Sequence, residues 1–188
     1  MRAIDIGVSP NGRAFIIGAK KDGDGPDHEI FEWVGRPGSF PDHGSWKKMP
    51  GRGKRIAVGP DGRPWVVSAK GFIFKWDPVA SRWAAKPGKA SDIAVGANGD
   101  VWIVGKKRQS EHGMNIFKWD KHNKKWIQSP GNAIRISIDA SGNPWTVQDK
   151  TNNLFKMEGG LWKLQGVKAT DVGCGADGTI WTTGTAST

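Results

Sequence analysis

This sequence predicts an all-β protein of tandem four-stranded antiparallel units. Three observations carry the prediction: a hairpin signature that recurs five times, tryptophans confined to three positions of the recurring unit, and no apolar period of about 3.6 residues over any useful length. Units that cannot bury their faces alone must pack on one another, and closing them into a ring protects most edges. The fold class expected is a β-propeller of four-stranded antiparallel blades, with four full repeats and an incomplete fifth.

The hairpins run from Asp5 to Phe15, Arg55 to Trp65, Asp92 to Trp102, Arg135 to Trp145 and Asp171 to Trp181. Each carries a glycine three residues before its aromatic: Gly12, Gly62, Gly99, Gly142 and Gly178. Asn11, Asp61, Asn98, Ser141 or Asp177 precedes it, which reads as a two-residue turn needing positive φ. The glycines recur at roughly 35 to 50 residues, the length of one blade. Third strands follow as Ile30-Phe31-Glu32-Trp33, Ile73-Phe74-Lys75-Trp76, Ile116-Phe117-Lys118-Trp119 and Leu154-Phe155-Lys156-Met157. Fourth strands carry Trp46, Trp83, Trp126 and Trp162, and the first three end in Pro-Gly. A tryptophan at one site of every repeat is most simply a packing wedge between neighbours. The expected repeats are residues 2–53, 54–89, 90–132, 133–168 and a partial 169–188, in a single domain spanning 1–188.

Composition fits this picture. The chain has 188 residues with 27 Gly, 11 Trp, 7 Phe and no Tyr, so its apolar material sits in a few large rings rather than in aliphatic runs. Cys174 stands alone, which excludes an intrachain disulfide. No stretch approaches the roughly 18 apolar residues of a membrane span, and no apolar leader follows Met1. A cytoplasmic or leaderless-secreted protein is the expectation.

The pattern Asp-Ile-Ala-Val-Gly-x-x-Gly-x-x-Trp, then Ile-Phe-Lys-Trp-Asp, then Trp followed by Pro-Gly, resembles the tectonin repeat over nearly the whole chain. The second and third copies match best; the first has Phe15 for the hairpin tryptophan, and the fourth has Met157 and lacks Pro-Gly. The resemblance implies a lectin-like module that binds glycans or lipopolysaccharide, or a membrane-lipid binder. Tectonin lectins resemble six-bladed rings, so the fifth unit here is half-sized, is completed by another chain, or belongs to a longer protein. An unpaired edge near Ile180 to Gly184 and the uncharged, proline-free tail Thr183-Gly184-Thr185-Ala186-Ser187-Thr188 lead to an expectation of self-association or a protein partner at that C-terminal edge.

The formal net charge is +10, from 28 Lys+Arg against 18 Asp+Glu. In an antiparallel blade the connection between strands two and three shares a face with the blade-to-blade linkers, so Lys54, Lys89, Lys106, Lys107 and Arg108 are expected on one face that attracts anionic glycan or lipid. Nucleic acid is not the expected ligand. Trp33, Trp76 and Trp119, on the third strands, are the expected sugar-stacking residues, because the apolar face of a pyranose packs on indole. A scaffold subunit that binds proteins is the second reading.

No nucleophile, base and orienting group stand out as a break in the repeat, so a non-catalytic protein without cofactor is expected. Asp5, Asp92 and Asp171, with Arg55 and Arg135 at the same position, read as links between blades, and Cys174 reads as a small buried hydrophobe. The loop Asp22-Gly23-Asp24-Gly25-Pro26-Asp27 has the oxygen density that calcium favours, yet Pro26 breaks the ligand spacing. No metal is expected there, and no two histidines share a zinc-ligand spacing.

Overall fold

The computed structural model describes residues 2–21, 25–35 and 44–184; the calcium-like residues Asp22-Gly23-Asp24 and the tail 185–188 lie outside them. Among the described residues all regular structure is β-strand, every pairing is antiparallel, and no helix is long and apolar enough to cross a membrane. β1 (Ala3–Val8), β2 (Ala14–Lys21), β3 (His28–Gly35) and β4 (Gly44–Gly53) form a four-stranded sheet in sequence order. β5 (Arg55–Val58), β6 (Pro64–Val67), β7 (Phe72–Asp77), β8 (Arg82–Val95), β9 (Val101–Ser110), β10 (Gly113–Asp120) and β11 (Lys125–Ala133) also pair in sequence order. β8 serves twice: its residues 82–89 pair with β7 and its residues 90–95 with β9. β12 (Arg135–Ile138), β13 (Pro144–Val147), β14 (Asn153–Glu158) and β15 (Leu161–Lys168) make another four-stranded sheet, and β16 (Asp171–Cys174) pairs with β17 (Ile180–Thr183). The chain divides into two compact units, residues 1–89 and 90–188.

The hairpin turns differ from the two-residue form expected. The N–H of Gly12 donates to the carbonyl of Ser9 and that of Ser9 to Arg13, a pattern repeated at Gly62, Gly99, Gly142 and Gly178. The loop is therefore three residues long, a type I turn closed by a left-handed glycine. Only the glycine takes positive φ, from 67° at Gly62 to 87° at Gly178. The polar residue before it braces the turn with its side chain, since Asp61, Asn98 and Asp177 each accept the N–H two residues on, at 3.1, 2.9 and 2.9 Å.

Within residues 1–89 the core gathers Phe15, Ile17, Ile30 and Met49 of the first sheet with Ile56, Val58 and Val66 of the next, and Trp76 and Trp83 close it. Asp5 accepts the N–H of Ile56 at 2.8 Å, as the link reading expects. Trp83 lies on the Pro50-Gly51 bulge of β4 and donates its indole N–H to the Pro50 carbonyl at 2.7 Å. Gly51 is required there: a Cβ would sit 2.7 Å from the Trp83 Nε1.

Residues 90–188 repeat the scheme. Trp102, Val104, Ile116 and Ala133 pack on Ile136 and Ile138, with Met157 and Trp162 at the margin. Asp92 accepts from the N–H of Ile136 at 3.0 Å, Arg135 pairs with Asp171 at 3.6 Å, and Trp162 donates to the Pro130 carbonyl at 2.7 Å. A third cluster joins Val147, Leu154, Ala169 and Val172, with Trp145 and Cys174 against it. Burial pushes the Cys174 thiol up to about 11, in keeping with a packing role.

Because neighbouring sheets are held partly by the outer-strand indole, Trp162→Phe is expected to keep the ring packing and lose the hydrogen bond to Pro130, lowering stability by about 1 kcal/mol. Urea denaturation measures it; an unchanged midpoint would show that this bond carries no weight.

Candidate functional site

Each expected sugar-stacking tryptophan lies edge-on to the fourth-strand tryptophan opposite it. Ring centroids are 5.4 Å apart for Trp33–Trp46, 5.2 Å for Trp76–Trp83 and 4.9 Å for Trp119–Trp126. Trp33 and Trp76 are half-buried and Trp119 is buried. Trp76 seals the core cluster of residues 1–89. Trp119 lines a cavity.

That cavity is a cleft of about 450 Å³, walled by Trp102, Lys118, Trp119 and Asp120 on one side and by Met157 and Gly160 on the other, with Ile127 to Pro130 completing it. Two local departures from the repeat shape it. Met157 stands where the other third strands have tryptophan, so the margin that Trp76 fills in residues 1–89 holds a thinner side chain here. The turn beside it is also shorter: Gly159-Gly160, with φ of 58° and 81°, joins β14 to β15, whereas residues 78–81 and 121–124 make the corresponding turns. Two positive φ values in a two-residue loop are the type I′ geometry that Gly-Gly permits.

Hydrogen bonding marks the same place. The hairpin tryptophan Trp145 donates its Nε1–H to Asp139 Oδ2 at 3.1 Å. Burial opposes ionisation of Asp139, but the bonds from Trp145 and Asn143 and the nearby Lys156 ammonium outweigh it and hold the carboxyl below the usual carboxylate range. The turn position of Asp139 is Gly96 in the preceding repeat, which offers no side-chain acceptor. Trp102, only 6% exposed, accordingly has a buried Nε1–H with no hydrogen-bond partner among the described residues. An unpaired buried donor costs about 1–3 kcal/mol. Lys118 lies over the Trp102 ring at 5.6 Å and pairs with Asp100 at 2.7 Å, so its charge is already compensated. Asp120 is also engaged, accepting the N–H groups of His122 and Asn123 and the Asn123 side chain. Among the described residues no cluster of three His, Cys, Asp or Glu could hold a metal.

The basic residues lie elsewhere. Lys106, Lys107 and Arg108 are exposed on the far end of β9, where Arg108 faces Met114 at the start of β10. Trp119 is five residues further along β10, about 16 Å away. The cluster Lys106, Lys107 and Arg108 and the ring of Trp119 therefore occupy opposite ends of the β9–β10 pair. Arg108 is a strut: it bonds the Ser110 and Glu111 carbonyls and pairs with Asp149, and the Asp149 N–H meets the His112 carbonyl at 3.0 Å. The bonds from Arg108 and the Lys150 N–H hold the Asp149 carboxyl low. A shallow hollow of about 480 Å³ lies between this hairpin and Lys150. In residues 1–89, Lys54 is exposed and its N–H donates to the Val67 carbonyl, while Lys89 lies 4.7 Å over the Phe72 ring. Sequence reasoning did not reach Trp102 as a site residue, because a missing acceptor becomes visible only when the repeats are laid on one turn geometry.

A family model described as the Tectonin domain matches residues 25–151. No curated protein matches the chain. Among solved structures, a streptogramin B lyase is 15% identical with a TM-score of 0.64, over 95% of this chain and 61% of that one. A virginiamycin B lyase from Staphylococcus aureus is 16% identical with a TM-score of 0.65, over 97% of this chain and 63% of that one. YCF48 bound to D1 peptide is 14% identical, with a TM-score of 0.53, 89% of this chain and 54% of that one being covered. The chain thus spans about three fifths of the length of the lyases. At these identities the likeness shows the fold, which is propeller-like, and nothing of chemistry.

Arg108→Ala is expected to free the β9–β10 hairpin from the turn at Asp149 and to speed amide exchange at Asp149 at least several-fold, with the cleft end of β10 unaffected. Hydrogen-exchange mass spectrometry reads both; unchanged protection at Asp149 would refute the strut.

Proposed function

This chain belongs to the tectonin-domain family, and from that premise we propose that it is a non-catalytic glycan-binding module whose four-stranded units, four full and one partial, are propeller blades. The ligand site is the cleft between Trp102, Trp119 and Met157. The observation that carries this reading is a cleft walled by Trp102 and Trp119 at the place where Met157 stands in for the third-strand tryptophan of the other full repeats. The apolar face of a pyranose packs against Trp119 and Met157. The commitment of Lys118 and Asp120 to their own partners supports binding rather than acid–base chemistry.

Lys106, Lys107 and Arg108 in residues 90–188, and Lys54 and Lys89 in residues 1–89, each add positive charge that draws an anionic glycan toward the protein and makes its association salt-dependent. They do not complete the cleft.

Met157→Trp restores the side chain that stands at this position in the other full repeats, so it is expected to fold normally while filling the cleft. On a glycan array, the parent binds in a manner that free sugar competes away, and the variant loses at least tenfold in affinity with an unchanged circular dichroism spectrum. Full retention of binding by Met157→Trp would contradict the assignment.

A further inference from the structure

The outer strand of the fourth repeat carries a second surface that the cleft does not explain. β15 is the edge strand of its sheet, hydrogen-bonded to β14 alone. Three large apolar side chains stand out along it, Leu161 at 70%, Leu164 at 57% and Val167 at 47% exposure. Their counterparts in the other outer strands are polar or small. The residue before the outer tryptophan is Ser45, Arg82 or Lys125 where this strand has Leu161; two residues after that tryptophan stand Lys48, Ala85 or Gln128 where it has Leu164. Following the positive-φ glycine, Arg52, Lys89 or Asn132 corresponds to Val167. Lysine and arginine on an edge strand hinder it from templating a further strand; β15 keeps Lys163 and Lys168 but is apolar at three positions where the other outer strands are polar or small. At these three positions β15 lacks the protection that β4 and β11 retain.

We propose that β15 pairs antiparallel with β15 of a second copy of this chain, about a two-fold axis at Leu164. The strand is self-complementary in that arrangement. Leu164 meets Leu164 of the second copy, and Leu161 falls opposite its Val167. The charges also agree: Lys163 comes opposite Gln165 and Lys168 opposite Gly160, so no lysine faces a lysine. Such a contact is isologous and closed, so it stops at a dimer instead of growing into a fibre. Each added strand pairing satisfies the open backbone groups of both edges, the mode by which extended segments join exposed sheets. A different protein strand would need no such symmetry in the apolar positions, which is why the second copy is the occupant the sequence favours.

Sedimentation velocity over a dilution series of the full chain tests this, with hydrogen exchange on the associated and dilute samples. The expected result is a monomer–dimer equilibrium whose dissociation constant rises at least tenfold in Leu164→Lys. Amides of β15 should be slower to exchange in the dimer, while those of β17 are unchanged. A parent that stays monomeric throughout overturns the proposal. So does a dimer that Leu164→Lys leaves intact, or one that protects β17 and leaves β15 open. Because Leu164 is exposed, loss of folding in the variant is not the expected cause of any change; Val167→Lys gives an independent second reading of the same contact.

Discussion

An indole N–H taken out of water gains from an acceptor, and three tryptophans show how that demand sets the seams between strands of this structure. Trp83 and Trp162 reach across to the carbonyls of Pro50 and Pro130, which ties each outer strand to the bulge of the sheet before it. The bulges are bent by glycines at positive φ, 85° at Gly51 and 90° at Gly131, so that the indole can lie against bare backbone. Trp145 turns instead to the Asp139 carboxylate of its own hairpin. In each case the ring fills a seam while its one polar atom fixes the orientation. Packing and hydrogen bonding are thereby coupled, which lets a sequence poor in aliphatic residues build a defined core.

The cleft lies where the repeat is locally thinner. Met157 narrows the margin that tryptophan fills elsewhere, and Gly159-Gly160 shortens the adjoining turn. Both departures lie in the β14–β15 hairpin, and each alone is an ordinary variation of a repeat. Together they leave Trp102, Trp119 and Met157 around one space of about 450 Å³, within the usual size of a small-ligand pocket. A repeat protein acquires a site most readily by local omission, because the surrounding repeats keep the frame rigid.

Much of the architecture was legible in the sequence because the repeat reports it several times. Turn glycines, inner-strand Asp5 and Asp92 as links, and Cys174 as a packing residue all follow from position within the repeat. The turn length did not, since a polar residue before glycine suits both a two-residue and a three-residue loop, and only the Ser9–Gly12 type of bond separates them. The site was legible in part. Met157 was visible as a departure, but its meaning depends on which residues face it, a tertiary fact. Basic residues lie over aromatic rings at Lys89 and Phe72 and at Lys118 and Trp102, whereas Trp119 and Arg108 sit at opposite ends of paired strands, because the basic hairpin is the far tip of β9 and β10.

The proposed ligand site is the cleft between Trp102, Trp119 and Met157. The Trp102 indole proton resonance can be followed by NMR while a sugar that binds the protein is titrated in. This resonance is expected to shift at saturation, with a ring-current change at Trp119 and none at Trp33. A bound state in which Trp102 is unmoved while Trp33 or Trp76 responds would contradict it.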